Sequence, residues 1–333
     1  MPRIDIDAIE DEWDDEPEFV PRSRNLSPAA RRRIDELAIA RVVAVDRGRV
    51  SIVLDEAGDD QPIDATLAGT MRRGKAAVGD RVRVRPARHE SDAPRIVEVL
   101  DRETWLVRTA DDAFDDERVV VANADQVVVV IAADHLQPGA GLLDRVMVAA
   151  SAGGLASAVC VNKVDLVDDR ATIVGFLERY AQLGVAGVAT SATTGEGIDA
   201  LRGLLTGRWS AFTGHSGVGK SSLFNLLVPE AFHAVADIGR YGGRHTTVAS
   251  RAMRVADEDA WLVDTPGVRS FGLGVVQPEE LQEHFPELAG LPCNLADCVH
   301  DGEPGCALDE AAVYPERLVS YRRLLAALRG GDG

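Results

Sequence analysis

Long apolar runs are missing from this chain. The longest, residues 127–133, suits a buried strand and is far too short for a membrane helix, so no membrane span is expected. Residues 1–10 lack the apolar stretch of a secretory leader. Cysteine is scarce: four in 333 residues do not make a disulfide scaffold. Together these absences lead to an expected cytoplasmic location. Positive charge is also in deficit, with a net charge of −18, which at first sight argues against nucleic acid. The deficit is local, however. Asp11, Glu12, Asp14, Asp15 and Glu16 crowd one N-terminal segment, and Arg31-Arg32-Arg33 reverses the sign soon after. Global charge therefore says little about the face that meets a partner.

The length suits two or three domains. Residues 1–37 read as an acidic disordered tail and linker, broken by Pro17, Pro21 and Pro28. Residues 38–108 hold five short β-rich runs punctuated by glycines, the pattern of a small β-barrel, most often an OB-fold. In Arg81-Val82-Arg83-Val84-Arg85 the period is two, so the valines point to the core and three guanidinium groups share the outer face. With Arg72, Arg73, Lys75 and Arg88 close in sequence, that face is read as a phosphate-contacting surface. Residues 109–275 alternate strand and helix, as in a parallel α/β sheet that binds ligands at its C-terminal strand ends. Residues 276–333 combine a cysteine-containing turn segment with a terminal helix from about Pro315 to Leu328, which offers Arg317, Arg322, Arg323 and Arg329 as a basic surface.

Chemistry enters with Gly214-His215-Ser216-Gly217-Val218-Gly219-Lys220-Ser221, followed by Ser222. It fits G-x4-G-K-S between an apolar strand and an amphipathic helix, the setting of a phosphate loop. Backbone N–H groups there wrap phosphates, Lys220 adds a point charge, and Ser221 ligates Mg²⁺. Asn162-Lys163-Val164-Asp165 ends another apolar strand and decides the base. Asp165 accepts from guanine N1–H and N2 together, and adenine would leave that carboxylate unpaired. Asn162 suits the O6/N7 edge, and the Lys163 stem packs along the ring. Ser191-Ala192 ends the next strand and matches a backbone contact to guanine O6. Asp264-Thr265-Pro266-Gly267 fits D-x-x-G: Asp264 holds Mg²⁺ through water and the Gly267 N–H senses the γ-phosphate. Thr247 or Thr246, in Gly243-Arg244-His245-Thr246-Thr247, is the further Mg²⁺ ligand, with Thr247 preferred.

Val268 stands where many GTPases place a water-orienting Gln, so His245, His215 or a partner must supply that role; His245 is favoured by its loop, and slow unassisted turnover is expected. The motif order is inverted relative to an ordinary small GTPase, in which the phosphate loop comes first. A circular permutation accounts for it, and it wires whatever follows residue 267 directly to the γ-phosphate sensor.

Cys293, Cys298, His300 and Cys306 have the spacing C-x4-C-x-H-x5-C among turn-forming residues. Three thiolates and an imidazole make a closed tetrahedral Zn²⁺ site with structural rather than catalytic use. Cys160 lies in an apolar strand and reads as core filler.

The combination of barrel, permuted order, G-x-S-G-V-G-K-S-S, G-R-H-T-T and the three-Cys, one-His site resembles the circularly permuted, small ribosomal subunit-dependent GTPases. The likeness covers roughly residue 41 to the C-terminus. It implies GTP hydrolysis stimulated by the 30S subunit in its late maturation. It also implies contacts of the barrel and zinc modules with 16S rRNA, by a protein expected to act as a monomer. His215 stands where Gln is frequent in that family, and the acidic tail is unusual for it. A second reading keeps GTP as a bound structural ligand of an RNA-binding module.

Overall fold

The structure is a computed structural model of the chain. It describes residues 28–46, 49–55, 61–68, 76–87, 89, 92–110, 113–228, 250–256, 258–265, 273, 276–288, 293, 295, 298–310 and 315–330. These form two compact units: the described residues up to Ala76 with Arg81–Asp101, and Ala77–Asp80 with the rest from Arg102 onward.

The first unit opens with a helix, α1 (Pro28–Asp35), where a linker was expected. Proline is at home at a helix start, because its missing N–H has no partner there in any case. Ile34 is buried and Arg31 bonds Glu98, which together hold the helix in place. Five strands follow: β1 (Ala38–Asp46), β2 (Arg49–Leu54), β3 (Ile63–Leu67), β4 (Arg81–Arg85) and β5 (Arg95–Val99). Their order is β1-β2-β3-β5-β4, and β4 pairs back with β1, which closes the sheet into the barrel expected from the sequence. Val42, Val50, Ile52, Val82, Val84 and Ile96 fill its interior. One alternate set of residues per strand thus builds the whole core, and closure removes the exposed edges.

The second unit begins with a hairpin, β6 (Trp105–Ala110) and β7 (Ala113–Ala122). The expected domain limit at 108 falls inside β6, because the pairing of β6 with β7 was not apparent in the sequence. Next come β8 (Gln126–Ala132), α2 (Leu136–Ala152), β9 (Ala156–Asn162), α3 (Arg170–Ala181), β10 (Ala186–Ala189) and α4 (Ile198–Leu205). They are followed by β11 (Trp209–Thr213), α5 (Lys220–Leu227), β12 (Arg251–Arg254) and β13 (Trp261–Asp264). The spatial order is β10-β9-β8-β11-β13-β12, all parallel except β12, which runs antiparallel to β13. Every residue of β8 is buried, as a central strand covered on both faces requires. Leu201 and Leu205 of α4 and Leu223, Phe224 and Leu227 of α5 pack with Val128, Val130, Phe212 and Leu262. Only residues 206–208 join α4 to β11, so the segment that would end an unpermuted domain runs straight into its first strand.

The chain ends in a short helix, α6 (Ala307–Glu310), and α7 (Pro315–Leu328). Arg317 is not part of a basic surface, as the sequence suggested, but is 2% exposed. Its guanidinium lies 2.5 Å from both Asp144 of α2 and Glu287, and 4.4 Å from the Phe285 ring centroid. The Tyr180 hydroxyl donates to Asp144 at 2.9 Å, and Ser320 also donates to it. Among the described residues no helix is long and apolar enough to cross a membrane.

Candidate nucleotide site and metal cluster

Parallel strands bring their C-terminal ends to one edge, so the motifs at those ends meet although sequence separates them. Register fixes the level of each: Asn162 lies beside Ala132, Thr213 beside Val129, Asp264 beside Phe212, and Ala189 beside Val161. Asn162 joins three of the loops. Its Nδ2 donates to the Val218 carbonyl at 2.9 Å, and its Oδ1 accepts from the Ala192 N–H at 3.1 Å and the Thr190 hydroxyl at 3.2 Å. Buried to 1% exposure, this amide ties the phosphate-loop motif to the Ser191-Ala192 turn and leaves one Nδ2 hydrogen for a ligand. Ser191 is buried too, and its Oγ accepts from the Thr193 and Thr194 N–H groups at 3.2 and 3.1 Å. Lys163 takes a left-handed φ of 63°. It is followed by a single 3-10 turn over Val164–Leu166 on which Asp165 is exposed. The Val164 N–H bonds the Thr190 carbonyl at 3.1 Å, which holds that turn against the end of β10.

The residues 214–219 form a tight loop. Gly219 has φ +96°, and a Cβ there would sit 2.3 Å from Asn162 Nδ2, so only glycine satisfies both the backbone and the bridge. Val218 is buried and His215, Ser216 and Gly217 are exposed. The Lys220 ammonium donates to the carbonyls of Gly214 at 2.6 Å and His215 at 2.8 Å. Ser221 and Ser222, in the first turn of α5, are exposed. Burial lowers the Lys220 ammonium from its ordinary value and the Asp264 charge opposes this. Burial raises the Asp264 carboxyl and Lys220 opposes that in turn. Each charge thus steadies the other at the C-terminal end of the sheet. Thr265 locks the arrangement by donating its hydroxyl to the Phe212 carbonyl at 2.7 Å. His245, Thr246, Thr247, Gly267 and Val268 lie outside the described residues. Sequence reading missed the bridging use of the Asn162 amide and the Thr190 and Thr265 hydroxyls. The only available signal was that both threonines adjoin strand ends carrying a motif. Burial pushes the Cys160 thiol up to about 12, which fits an inert core residue.

The second cluster brings Cys293, Cys298, His300 and Cys306 together, with all four ligand atoms within 4.8 Å of one another. His300 Nδ1 is 3.5 Å from Cys298 Sγ and 3.2 Å from Cys306 Sγ. A tetrahedral zinc ion separates a sulfur and a nitrogen ligand by about 3.6 Å, so the donor set and its spacing fit Zn²⁺. Backbone N–H groups of Ala307 and Leu295 hold the Cys293 thiol below its usual range, which favours the thiolate. Helix α7 supports the loop that carries these ligands. Tyr321 donates to the Val299 carbonyl at 3.0 Å, Arg322 to the His300 carbonyl at 3.1 Å, and His300 has a left-handed φ of 65°. Glu303 accepts from the Val299 N–H at 3.0 Å, and its other oxygen is 3.5 Å from Cys298 Sγ.

The profile of the RsgA GTPase family matches residues 99–274. A protein of Gemmatimonas aurantiaca called small ribosomal subunit biogenesis GTPase RsgA is 37% identical over 302 residues, covering 87% of this chain and 97% of that relative. The chain belongs to the RsgA GTPase family. RsgA proteins of Chlorobaculum tepidum, 38% identical over 82% of this chain and 93% of theirs, and Bacteroides fragilis, 32% over 80% and 90%, repeat the match. Among solved structures, YjeQ from Thermotoga maritima superposes with a TM-score of 0.68 at 30% identity, covering 89% of this chain and 99% of that one. YloQ, described as a circularly permuted GTPase, gives 0.64 at 24% identity and shares the fold, with 89% and 96% covered. The RsgA family is one of GTPases, and this chain shares its fold with YloQ, the circularly permuted GTPase.

Proposed function

We propose that this protein hydrolyses GTP on the small ribosomal subunit during that subunit's late maturation. The relatives named for small-subunit biogenesis support the setting. The observation that carries the site is the Asn162 bridge, which joins base-reading and phosphate-binding loops drawn from both sides of the permutation. In this reading Asp165 pairs with guanine N1–H and N2, Asn162 offers its remaining hydrogen to the ring edge, and Lys163, Ser191 and Ala192 flank the base. The backbone of Gly214, His215, Ser216, Gly217, Val218 and Gly219 wraps the phosphates at the N-terminus of α5, with Ser222 in its first turn. Lys220 is the catalytic charge on the phosphates. Ser221, Thr247 and Asp264 hold Mg²⁺, Gly267 reads the γ-phosphate, and His245 orients water. Zinc closes the Cys293, Cys298, His300 and Cys306 cluster as a structural ion.

The working division is an acidic tail, a barrel opened by helix α1, a GTPase domain that includes the β6–β7 hairpin and a zinc module from about residue 276, acting as a cytoplasmic monomer. Barrel and zinc module meet 16S rRNA. The test is GTP turnover with and without purified 30S subunits. A slow rate strongly raised by 30S is expected. A fast rate indifferent to 30S rejects the reading. No turnover in either condition, with GTP tightly held, makes the nucleotide a structural ligand instead.

A further inference from the structure

The outer face of β4 and β5 carries Arg81, Arg83, Arg85 and Arg95, and the fold treats them unequally. Arg83 is committed inside the chain. It donates to the Asp35 and Leu37 carbonyls at 2.6 and 3.2 Å and lies 3.7 Å from Glu98. Arg81 is 3.7 Å from Asp55. Arg85 and Arg95 are direct cross-strand partners, and among the described residues no carboxylate pairs with either. Like charges opposed in this way destabilise a sheet unless an anion lies between them. Burial and the Arg95 charge together lower the Arg85 guanidinium from its ordinary value. Exposed Thr66 is the neighbour of Arg95 on β3, and the pair roots the β4–β5 connection, one of the two loops by which OB barrels grip oligonucleotides.

Helix α1 sits on the same two strands, through Arg31 to Glu98 at 2.6 Å and Asp35 to Arg83. Helix α1, and with it the point where the chain enters at Pro28, is thus anchored to the two strands that carry Arg85 and Arg95. Between Arg3 and Arg22 that chain has no Lys or Arg and carries Asp11, Glu12, Asp14, Asp15 and Glu16. Twelve residues reach up to about 40 Å when extended, ample for the segment to fold back. A short tether holds it at an effective concentration of about millimolar. We propose that the acidic segment 5–18 occupies the Arg85–Arg95 pair and competes there with RNA phosphates. The competition rests on the rRNA reading above; the contact between tail and arginines does not.

The test uses the full chain in four forms: wild type; Asp11→Asn with Glu12→Gln, Asp14→Asn, Asp15→Asn and Glu16→Gln; Arg85→Gln with Arg95→Gln; and both sets together. Amide resonances of residues 5–18 should shift when the two arginines are neutralised. A labelled oligouridylate should bind the tail-neutral chain about tenfold more tightly at low salt, a gain that shrinks at high salt. The gain should vanish when Arg85 and Arg95 are also neutralised. Neutralising the tail should lower thermal stability slightly while Arg85 and Arg95 are present and not once both are neutral, because only the first chain has a repulsion for the tail to offset. Unshifted tail resonances, a gain that persists without the arginines, or a tail-neutral stability loss that is the same with and without the arginines would each overturn the proposal. An RNA ligand that none of the four chains binds rejects the competition, while 30S-stimulated turnover judges the ribosomal reading separately.

Discussion

The nucleotide end of the sheet and the C-terminal module are both built largely from loops, yet they are held in opposite ways. At the nucleotide end the loops hang from parallel strands with a large apolar core beneath them. The polar groups there fasten the loops, Asn162 to two other loops, Ser191 within its own turn and Thr265 to strand β11, and leave Asp165 and the residues 215–217 exposed. The C-terminal module buries Leu281, Phe285, Leu288, Tyr321, Leu324 and Leu325 but contains no strand among its described residues. It relies on the Cys/His cluster at one side and on a buried ion network, Arg317 with Asp144 and Glu287, at the other. The first region is a scaffold with an open site, and the second is a graft pinned at two points. The pin has a mechanical consequence. Although the chain passes from β13 into the module, α7 is fastened to α2, through Arg317 and Ser320 to Asp144. A signal leaving Asp264 cannot swing α7 freely without parting a buried charge pair.

Removing either pin sharpens the contrast. The largest effect is expected at the cluster. Cys298→Ser, or a strong chelator, should release the bound zinc completely and unfold the module, since small metal modules fold only with their ion. Metal analysis and proteolysis read this, and GTP affinity should stay near wild type. Next, Arg317→Met strands Asp144 and Glu287 as buried unpaired carboxylates and should cost about 3–5 kcal/mol in denaturant unfolding. Adding Asp144→Leu should restore part of it, because one of the stranded charges is then gone. On the other side of the comparison, Lys220→Ala should lower 30S-stimulated turnover by about 10²–10³-fold with the fold intact. The smallest effect is expected from Asn162→Ala. It should destabilise by about 2 kcal/mol through the orphaned Val218, Ala192 and Thr190 groups, and it should weaken GTP binding as the loops part. A module that unfolds with Lys220→Ala, or a nucleotide site lost with Cys298→Ser, would break the distinction.

The two regions also differ in how much of them could be read from sequence. Residue types at the phosphate loop, at residues 162–165 and at Asp264 declare their chemistry directly, and alternating valines in β4 gave the barrel its inward face. The Arg317 network joins residues 173 positions apart in the chain, and no local pattern marks it. A lone arginine on an amphipathic helix normally faces water, so burial by a distant carboxylate reverses the local reading. Helix α1 was hidden for a similar reason: Pro28 reads as a breaker unless it opens a helix, and the helix is held by Glu98 of a strand far along the chain. The sequence marks Asn162 as a candidate base reader, but its ties to Val218 and Ala192 depend on strand order that only the fold supplies.

The central claim is that segments on either side of the permutation junction build one guanine-specific site. Asp165→Asn tests it most directly, with affinities for GTP and xanthosine triphosphate measured side by side. An amide at this position matches the xanthine carbonyl and no longer accepts from the guanine amine. The account therefore predicts loss of GTP binding and gain of xanthosine triphosphate binding, with a combined change of about 10⁴-fold. Unchanged GTP affinity in the variant would contradict it.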